Sequence, residues 1–261
     1  MDRLDEFFER LRSASSRMLL LDYDGTLAPF VAARSRAVPY AGVPGVLARI
    51  MEAERTRLVI VSGRAASEVA DLLGLDPAPE ILGCHGWERR GPDGATRLAP
   101  LPESARTALE SAGRTLIAAG MSEHCEIKPA GIAVHWRGLA PRETARVEAV
   151  ARATLMPLAA TAGVRLDPFD GGLELRPSGR DKGTVVRELL REMGSGAVVA
   201  YLGDDRTDED AFHALGGHGL AVLVARAPRS TAAGTLLRSA DEVLAFLGRW
   251  ERAVASVWGQ S

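Results

Sequence analysis

The chain has 261 residues, 46% of them hydrophobic and 25% charged, with a formal net charge of -2. Such a composition suits one large or two modest globular domains, and with no basic face and no run of like charge it argues against a nucleic-acid partner. The first residues are charged from Asp2 onward and no stretch approaches the roughly 18 apolar residues of a membrane span, so a cytoplasmic protein without a membrane partner is expected.

In chain order, Leu4, Phe7, Phe8 and Leu11 fall at helical spacing, and Met18 to Leu21 then form a short apolar run that ends at Asp22 and a Gly25 turn. The same grammar returns at Leu58 to Val61, which runs into Ser62-Gly63-Arg64 and a helix from Ala65 to Leu73 stopped by Gly74. The two cysteines, Cys84 and Cys125, each adjoin a histidine, His85 and His124. Neighbours on a strand point to opposite faces, so these dipeptides are poor zinc ligands, and buried reduced thiols are expected.

The middle of the chain changes character. Segments 126-EIKPAGIAVHWR-137 and 164-VRLDPFDGGLELRP-177 read as alternating strands broken by Pro-Ala-Gly and Asp-Gly-Gly turns. Alanine-rich helical stretches lie near 103–119 and 141–160. Beyond them a helix from Thr184 to Met193 leads to a third apolar strand, Ala197 to Leu202, followed by Gly203-Asp204-Asp205 and a helix from Asp208 to Leu215. Buried strands alternating with helices predict an α/β fold, a Rossmann-like parallel sheet covered on both faces. The core comprises 1–100 and 177–261, with an α+β insertion at 101–176. In such sheets ligands bind beyond the carboxyl ends of the strands, where all three polar tails fall.

Those tails carry chemistry. Asp22 and Asp24, at the end of a buried strand and beside a glycine turn, have the setting of a rigid nucleophile or a hard-cation ligand, although an ordinary Asp-Gly turn shares the pattern. In 203-GDDRTDED-210, Thr207 can cap a helix with Asp210 three residues on. That leaves Asp204 and Asp205 crowded beyond the strand, and two such carboxylates call for a cation, for which Mg2+ fits an all-oxygen set. Ser62 at a strand-to-helix junction and Lys182 at the opening of another helix supply a hydroxyl and a positive charge suited to a phosphoryl group, although taken singly they also read as a helix N-cap and a solvated lysine.

Taken together, LDYDGT, VSGR, Lys182 and GDDRTDED resemble the four motifs of haloacid dehalogenase (HAD) phosphatases over residues 18–225. The sharper resemblance is to the trehalose-6-phosphate phosphatase family, through LDYDGTLAP, VSGR, His85-Gly86, the E-x-K of 126–128, HWR at 135–137, LELRP at 173–177 and GDDRTDEDAF. The resemblance implies that Asp22 is the nucleophile and Asp24 the general acid and base. It implies Mg2+ held by Asp22, Asp204 and the Asp24 carbonyl, with Asp205 and Asp208 supporting the site. Ser62 and Lys182 would hold the phosphoryl group, assisted by Arg64. In the insertion, which corresponds to that family's α+β cap, Glu126, Lys128 and Glu174 would bind the sugar, with Arg137 a further candidate.

The implied partner is a small sugar phosphate, and a monomer is compatible with the sequence. Open alternatives are a capped phosphatase for sucrose phosphate or a glycosyl phosphoglycerate, a phosphoaspartate signalling domain, and an inactive regulatory domain. Signalling domains of that kind are about half as long and carry their acidic pair after the first strand, with the phosphoacceptor on a later one.

Overall fold

A computed structural model of the chain describes residues 3–31, 33–160, 163–194 and 196–255. The chain divides into two compact units, residues 1–96 with 181–261, and residues 97–180.

The strands, in chain order, are β1 (Arg17–Leu21), β2 (Arg57–Val61), β3 (Glu80–Gly83), β4 (Glu88–Arg90), β5 (Thr96–Leu98), β6 (Cys125–Lys128), β7 (Gly131–His135), β8 (Val164–Phe169), β9 (Gly172–Pro177), β10 (Val198–Gly203), β11 (Gly219–Val224) and β12 (Thr235–Leu237). The α-helices are α1 (Arg3–Ser13), α2 (Val43–Glu52), α3 (Ala66–Leu73), α4 (Glu103–Ala118), α5 (Pro141–Ala159), α6 (Lys182–Met193), α7 (Arg206–Leu215) and α8 (Ala240–Ala255). Among the described residues, no helix is long and apolar enough to cross a membrane.

The larger unit is built on a sheet of order β12-β11-β10-β1-β2-β3-β4-β5. It is parallel from β12 to β3 and turns antiparallel at β4. Beyond Arg17 and Arg57 at their first positions, β1 and β2 are apolar because both faces of the sheet are covered. In β1, Leu19 and Leu21 join one core with residues of α1, α2, α3 and α8. Met18 and Leu20 point the other way, into a core with Val185, Val186 and Leu189 of α6 and Phe212 and Leu215 of α7. The pairing of β1 with both β10 and β2 brings the ends of three strands side by side. Asp22 follows β1, Ser62 follows β2, and Asp204 follows β10.

The smaller unit is an antiparallel sheet of order β6-β7-β9-β8. Ile132, Val134, Leu173 and Leu175 form one apolar face, packed with Ala105, Ala108, Ala112 and Leu116 of α4 and Val147, Ala151 and Leu155 of α5. Strand alternation therefore puts Glu126, Lys128, Glu174 and Arg176 on the opposite face.

Helices α1 and α3 to α7 and strands β6 to β9 follow the sequence pattern, whereas α2 and α8 were not read from it. One capping detail differs. The N-cap of α7 is Asp205, in a capping box with Asp208, in place of the expected Thr207 and Asp210. The two frames overlap, and β10 extending through Gly203 selects the earlier one. Cys84 is buried and Cys125 half-buried, and they are not joined in a disulfide.

Candidate active site

The turn after β1 is built by hydrogen bonds from the Leu27 and Ala28 N–H groups to the Tyr23 carbonyl at 2.9 and 3.0 Å. Gly25 lies at φ 78°. A Cβ there would come within 2.1 Å of Asp204 Oδ2, so only glycine lets the β1 and β10 turns approach this closely.

Four charged groups meet at these strand ends. Lys182, at the first turn of α6, places Nζ 2.8 Å from Asp22 Oδ1 and 2.7 Å from Asp208 Oδ1. Asp208 is wholly buried. Its Oδ1 also accepts from Tyr201 Oη at 2.7 Å, and its Oδ2 accepts from the Asp204 and Asp205 N–H groups at 3.1 and 3.0 Å. Asp208 is thus the peg that fixes the acidic turn. Arg229 holds the same turn from outside, donating to the carbonyls of Asp204 and Asp205 at 3.1 and 3.0 Å.

Asp22, Asp204 and Asp208 each offer an oxygen within 4.8 Å of the others. Burial is the main force on their proton affinities. It raises the Asp22 pKa to about 7, reinforced by Asp208 and opposed by Lys182. It raises Asp204 to about 10, reinforced by Asp22 and Asp208. Burial also works against the charge on Lys182, but Asp208 and Asp22 outweigh it and hold that pKa above its ordinary value. With all three carboxylates ionised, one ammonium group would leave two negative charges to be balanced, which is why the cluster takes up protons in the absence of a cation. Asp204 Oδ1 is buried without a hydrogen-bond partner. An orphaned oxygen in an all-oxygen set of this charge fits a divalent hard cation.

The Asp24 side chain is held elsewhere, by Arg64. Nε donates to Oδ2 at 2.6 Å and Nη2 to Oδ1 at 2.8 Å, a bidentate pair. The Arg64 side chain is only 5% exposed. It also pairs with Glu68 and donates to the Arg34 carbonyl at 3.2 Å. Ser62, almost wholly buried, accepts from the Arg64 N–H at 3.2 Å. The next turn along the sheet is tied in by its backbone, Cys84 N–H to Arg64 O at 2.7 Å and His85 N–H to Ser62 O at 2.9 Å. Cys84 and His85 are both left-handed, at φ 49° and 56°. That conformation costs an L-residue other than glycine about 1–2 kcal/mol. Glu88 completes the support, its Oε2 accepting from the Ala66 N–H at 2.6 Å.

In the smaller unit Glu126 pairs with Ala133, and Ala133 with Glu174, across β6, β7 and β9. The small residue between them leaves a space flanked by two carboxylates. Lys128 Nζ lies 2.7 Å from Glu174 Oε1 and 3.9 Å from Glu126 Oε2. His135 Nε2 is 2.9 Å from Glu126 Oε2. Arg137 donates to the Asp170 carbonyl at 2.5 Å, at the β8–β9 turn.

Asp22, Asp204 and Lys182 therefore come together as the sequence suggested, and so do Glu126, Lys128 and Glu174. Tyr201, Glu68, Glu88 and Arg229 were not identified, because none lies in a motif.

A family model described as trehalose-phosphatase matches residues 20–241. A trehalose-phosphate phosphatase of Mycobacterium marinum is 34% identical over 88% of the chain. The chain spans 60% of that relative's length. A probable trehalose-phosphate phosphatase of Oryza sativa is 33% identical over 92% of the chain and 72% of its own length. The crystal structure of Aspergillus fumigatus trehalose-6-phosphate phosphatase superposes with a TM-score of 0.66 at 25% identity, covering 96% of this chain and 98% of that one.

Proposed function

The chain belongs to the trehalose-phosphatase family, and we propose that it hydrolyses trehalose 6-phosphate to trehalose and inorganic phosphate through a phosphorylated aspartate, with Mg2+ as cofactor. The observation that carries this reading is the buried Asp22 beside Lys182 Nζ at 2.8 Å, within a cluster of carboxylates that fits a divalent cation.

An Asp22 oxygen attacks phosphorus as the bond from phosphorus to the sugar oxygen breaks. The leaving alkoxide needs a proton, which Asp24 donates from its protonated form, for which its pair with Arg64 must open. Asp24 then accepts a proton from the water that attacks the acyl phosphate, which frees Asp22 and releases phosphate. Lys182 and the Ser62 hydroxyl hold the phosphoryl oxygens, since this transfer depends on positioning and charge neutralisation. Arg64, which grips both oxygens of Asp24, supports a role in orienting that carboxylate. Asp22, Asp204 and the Asp24 carbonyl would hold the cation, because both Asp208 oxygens are already filled. When bound, Mg2+ supplies positive charge against the phosphoryl oxygens and favours ionised Asp22.

Glu126, Lys128 and Glu174 are assigned to the sugar. Two carboxylates and an ammonium on one sheet face can make charge-assisted hydrogen bonds to hydroxyl groups that point in several directions. Arg137 is a further candidate for the same task.

Phosphate release from trehalose 6-phosphate, sucrose phosphate and a glycosyl phosphoglycerate tests the substrate. Trehalose 6-phosphate should have the highest kcat/KM, and a preference for either of the others would replace it.

A further inference from the structure

The Cys84–His85–Gly86 turn poses a question that its backbone does not answer. The bonds from Cys84 N–H to Arg64 O and from His85 N–H to Ser62 O require the left-handed backbone, but they require no side chain. Glycine would make both without strain. A histidine there is strained, so its imidazole is the feature that needs a role. The ring lies against Gly63, where a Cβ would come within 2.8 Å of both Cε1 and Nε2. Gly63 thus leaves a seat for the imidazole on the turn that carries Ser62, and His85 remains half-exposed.

Strands β10, β1, β2 and β3 are consecutive neighbours in the sheet, and their carboxyl ends present Asp204, Asp22, Ser62 and His85 in that order. Two strand spacings separate His85 from Asp22, roughly 10 Å between backbones. On that reading of the site the phosphoryl group is met by the carboxylates, Lys182 and Ser62, and an esterified group that extends along the sheet past Ser62 would meet His85. We propose that His85 is a specificity-determining residue that hydrogen-bonds a hydroxyl of the sugar next to its phosphate. A neutral imidazole offers one donor and one acceptor, a match for a hydroxyl group. This inference rests on the reading of the site as a sugar-phosphate phosphatase.

The test compares wild type, His85→Gly and His85→Asn on trehalose 6-phosphate and on p-nitrophenyl phosphate, with inorganic phosphate as inhibitor. Both replacements tolerate the left-handed backbone, so the melting temperature should stay within a few degrees or rise. The expected result is a loss of tenfold or more in kcat/KM for the sugar phosphate, mainly through KM, with aryl phosphate turnover and the inhibition constant of phosphate within about twofold of wild type. Unchanged KM for the sugar phosphate would overturn the proposal. So would parallel losses on both substrates and on phosphate inhibition, which would make His85 a support of the phosphoryl turn. Failure of the underlying reading is distinguishable, because wild type would then release no phosphate from any sugar phosphate while still folding.

Discussion

Arg64 grips Asp24 with two parallel hydrogen bonds, Nε to Oδ2 at 2.6 Å and Nη2 to Oδ1 at 2.8 Å, although 40 residues separate them in the chain. The pair ties the turn after β1 to the turn after β2. It also makes the position of Asp24 depend on Arg64.

If Asp24 moves the proton, Asp24→Asn should lower kcat for trehalose 6-phosphate by about 10²–10⁴-fold and have a much smaller effect on an aryl phosphate, whose leaving group hardly needs protonation. Arg64→Met should lose part of the same factor. Because one residue acts through the other, the double variant should be no slower than Asp24→Asn within about threefold. Multiplying losses in that cycle would show that the two act independently.

The carboxylate cluster makes a stability prediction as well as a kinetic one. Turnover should cease on thorough chelation and return with excess Mg2+, while Ca2+, which prefers more ligands and looser geometry, should inhibit. Asp204→Asn removes a carboxyl group whose ionised form is disfavoured first by burial and then by Asp22 and Asp208. The metal-free variant should therefore melt higher than metal-free wild type, and the rise that Mg2+ gives to wild type should vanish. A variant that melts lower and still gains from Mg2+ would place the cation elsewhere.

Much of this site was legible because strand ends in an α/β sheet are predictable places. Three apolar runs ending in Asp22, Ser62 and Asp204 locate the cluster before any coordinates are known. The alternation of β6 to β9 likewise puts Glu126, Lys128 and Glu174 on one face. What could not be read depends on side-chain contacts that no motif marks. Arg229 reaches the Asp204 carbonyl from a loop with no motif, and Tyr201 looks like any other apolar strand residue until its hydroxyl meets Asp208. The left-handed Cys84 and His85 were hidden for another reason, since cysteine does not mark that backbone and the enrichment of histidine there is too small to single out one residue.

In the smaller unit, Glu126→Ala, Lys128→Ala and Glu174→Ala each remove charge-assisted hydrogen bonds worth about 1.5–3 kcal/mol apiece. The kcat/KM for trehalose 6-phosphate should fall roughly tenfold to a few hundredfold, with turnover of a small aryl phosphate nearly unchanged. Equal losses on both substrates would indicate a folding defect, and no loss on either would remove the sugar assignment.

Acid stability offers a check away from the site. Glu192 accepts hydrogen bonds from Arg89 and pairs with Arg57, and these partners lower its pKa to about 2 against the burial that raises it. A carboxyl group whose folded pKa lies below its unfolded value stabilises the fold above the unfolded pKa, and the contribution is lost as pH falls from about 4.5 toward 2. Its side chain is 38% exposed, so solvent screening keeps the contribution to about 1 kcal/mol or less. Glu192→Gln should melt slightly below wild type at pH 7, and the gap should close through that window. A gap independent of pH would assign the effect to packing.

The central claim is that Asp22 is the nucleophile of a Mg2+-dependent sugar phosphatase, and its most direct test is phosphate release from trehalose 6-phosphate by wild type and Asp22→Asn with and without Mg2+. Wild type should turn over only with the cation, and the nearly isosteric variant should fold normally and release nothing detectable. Turnover by Asp22→Asn above a few per cent of wild type, or none by folded wild type with Mg2+, would contradict the account.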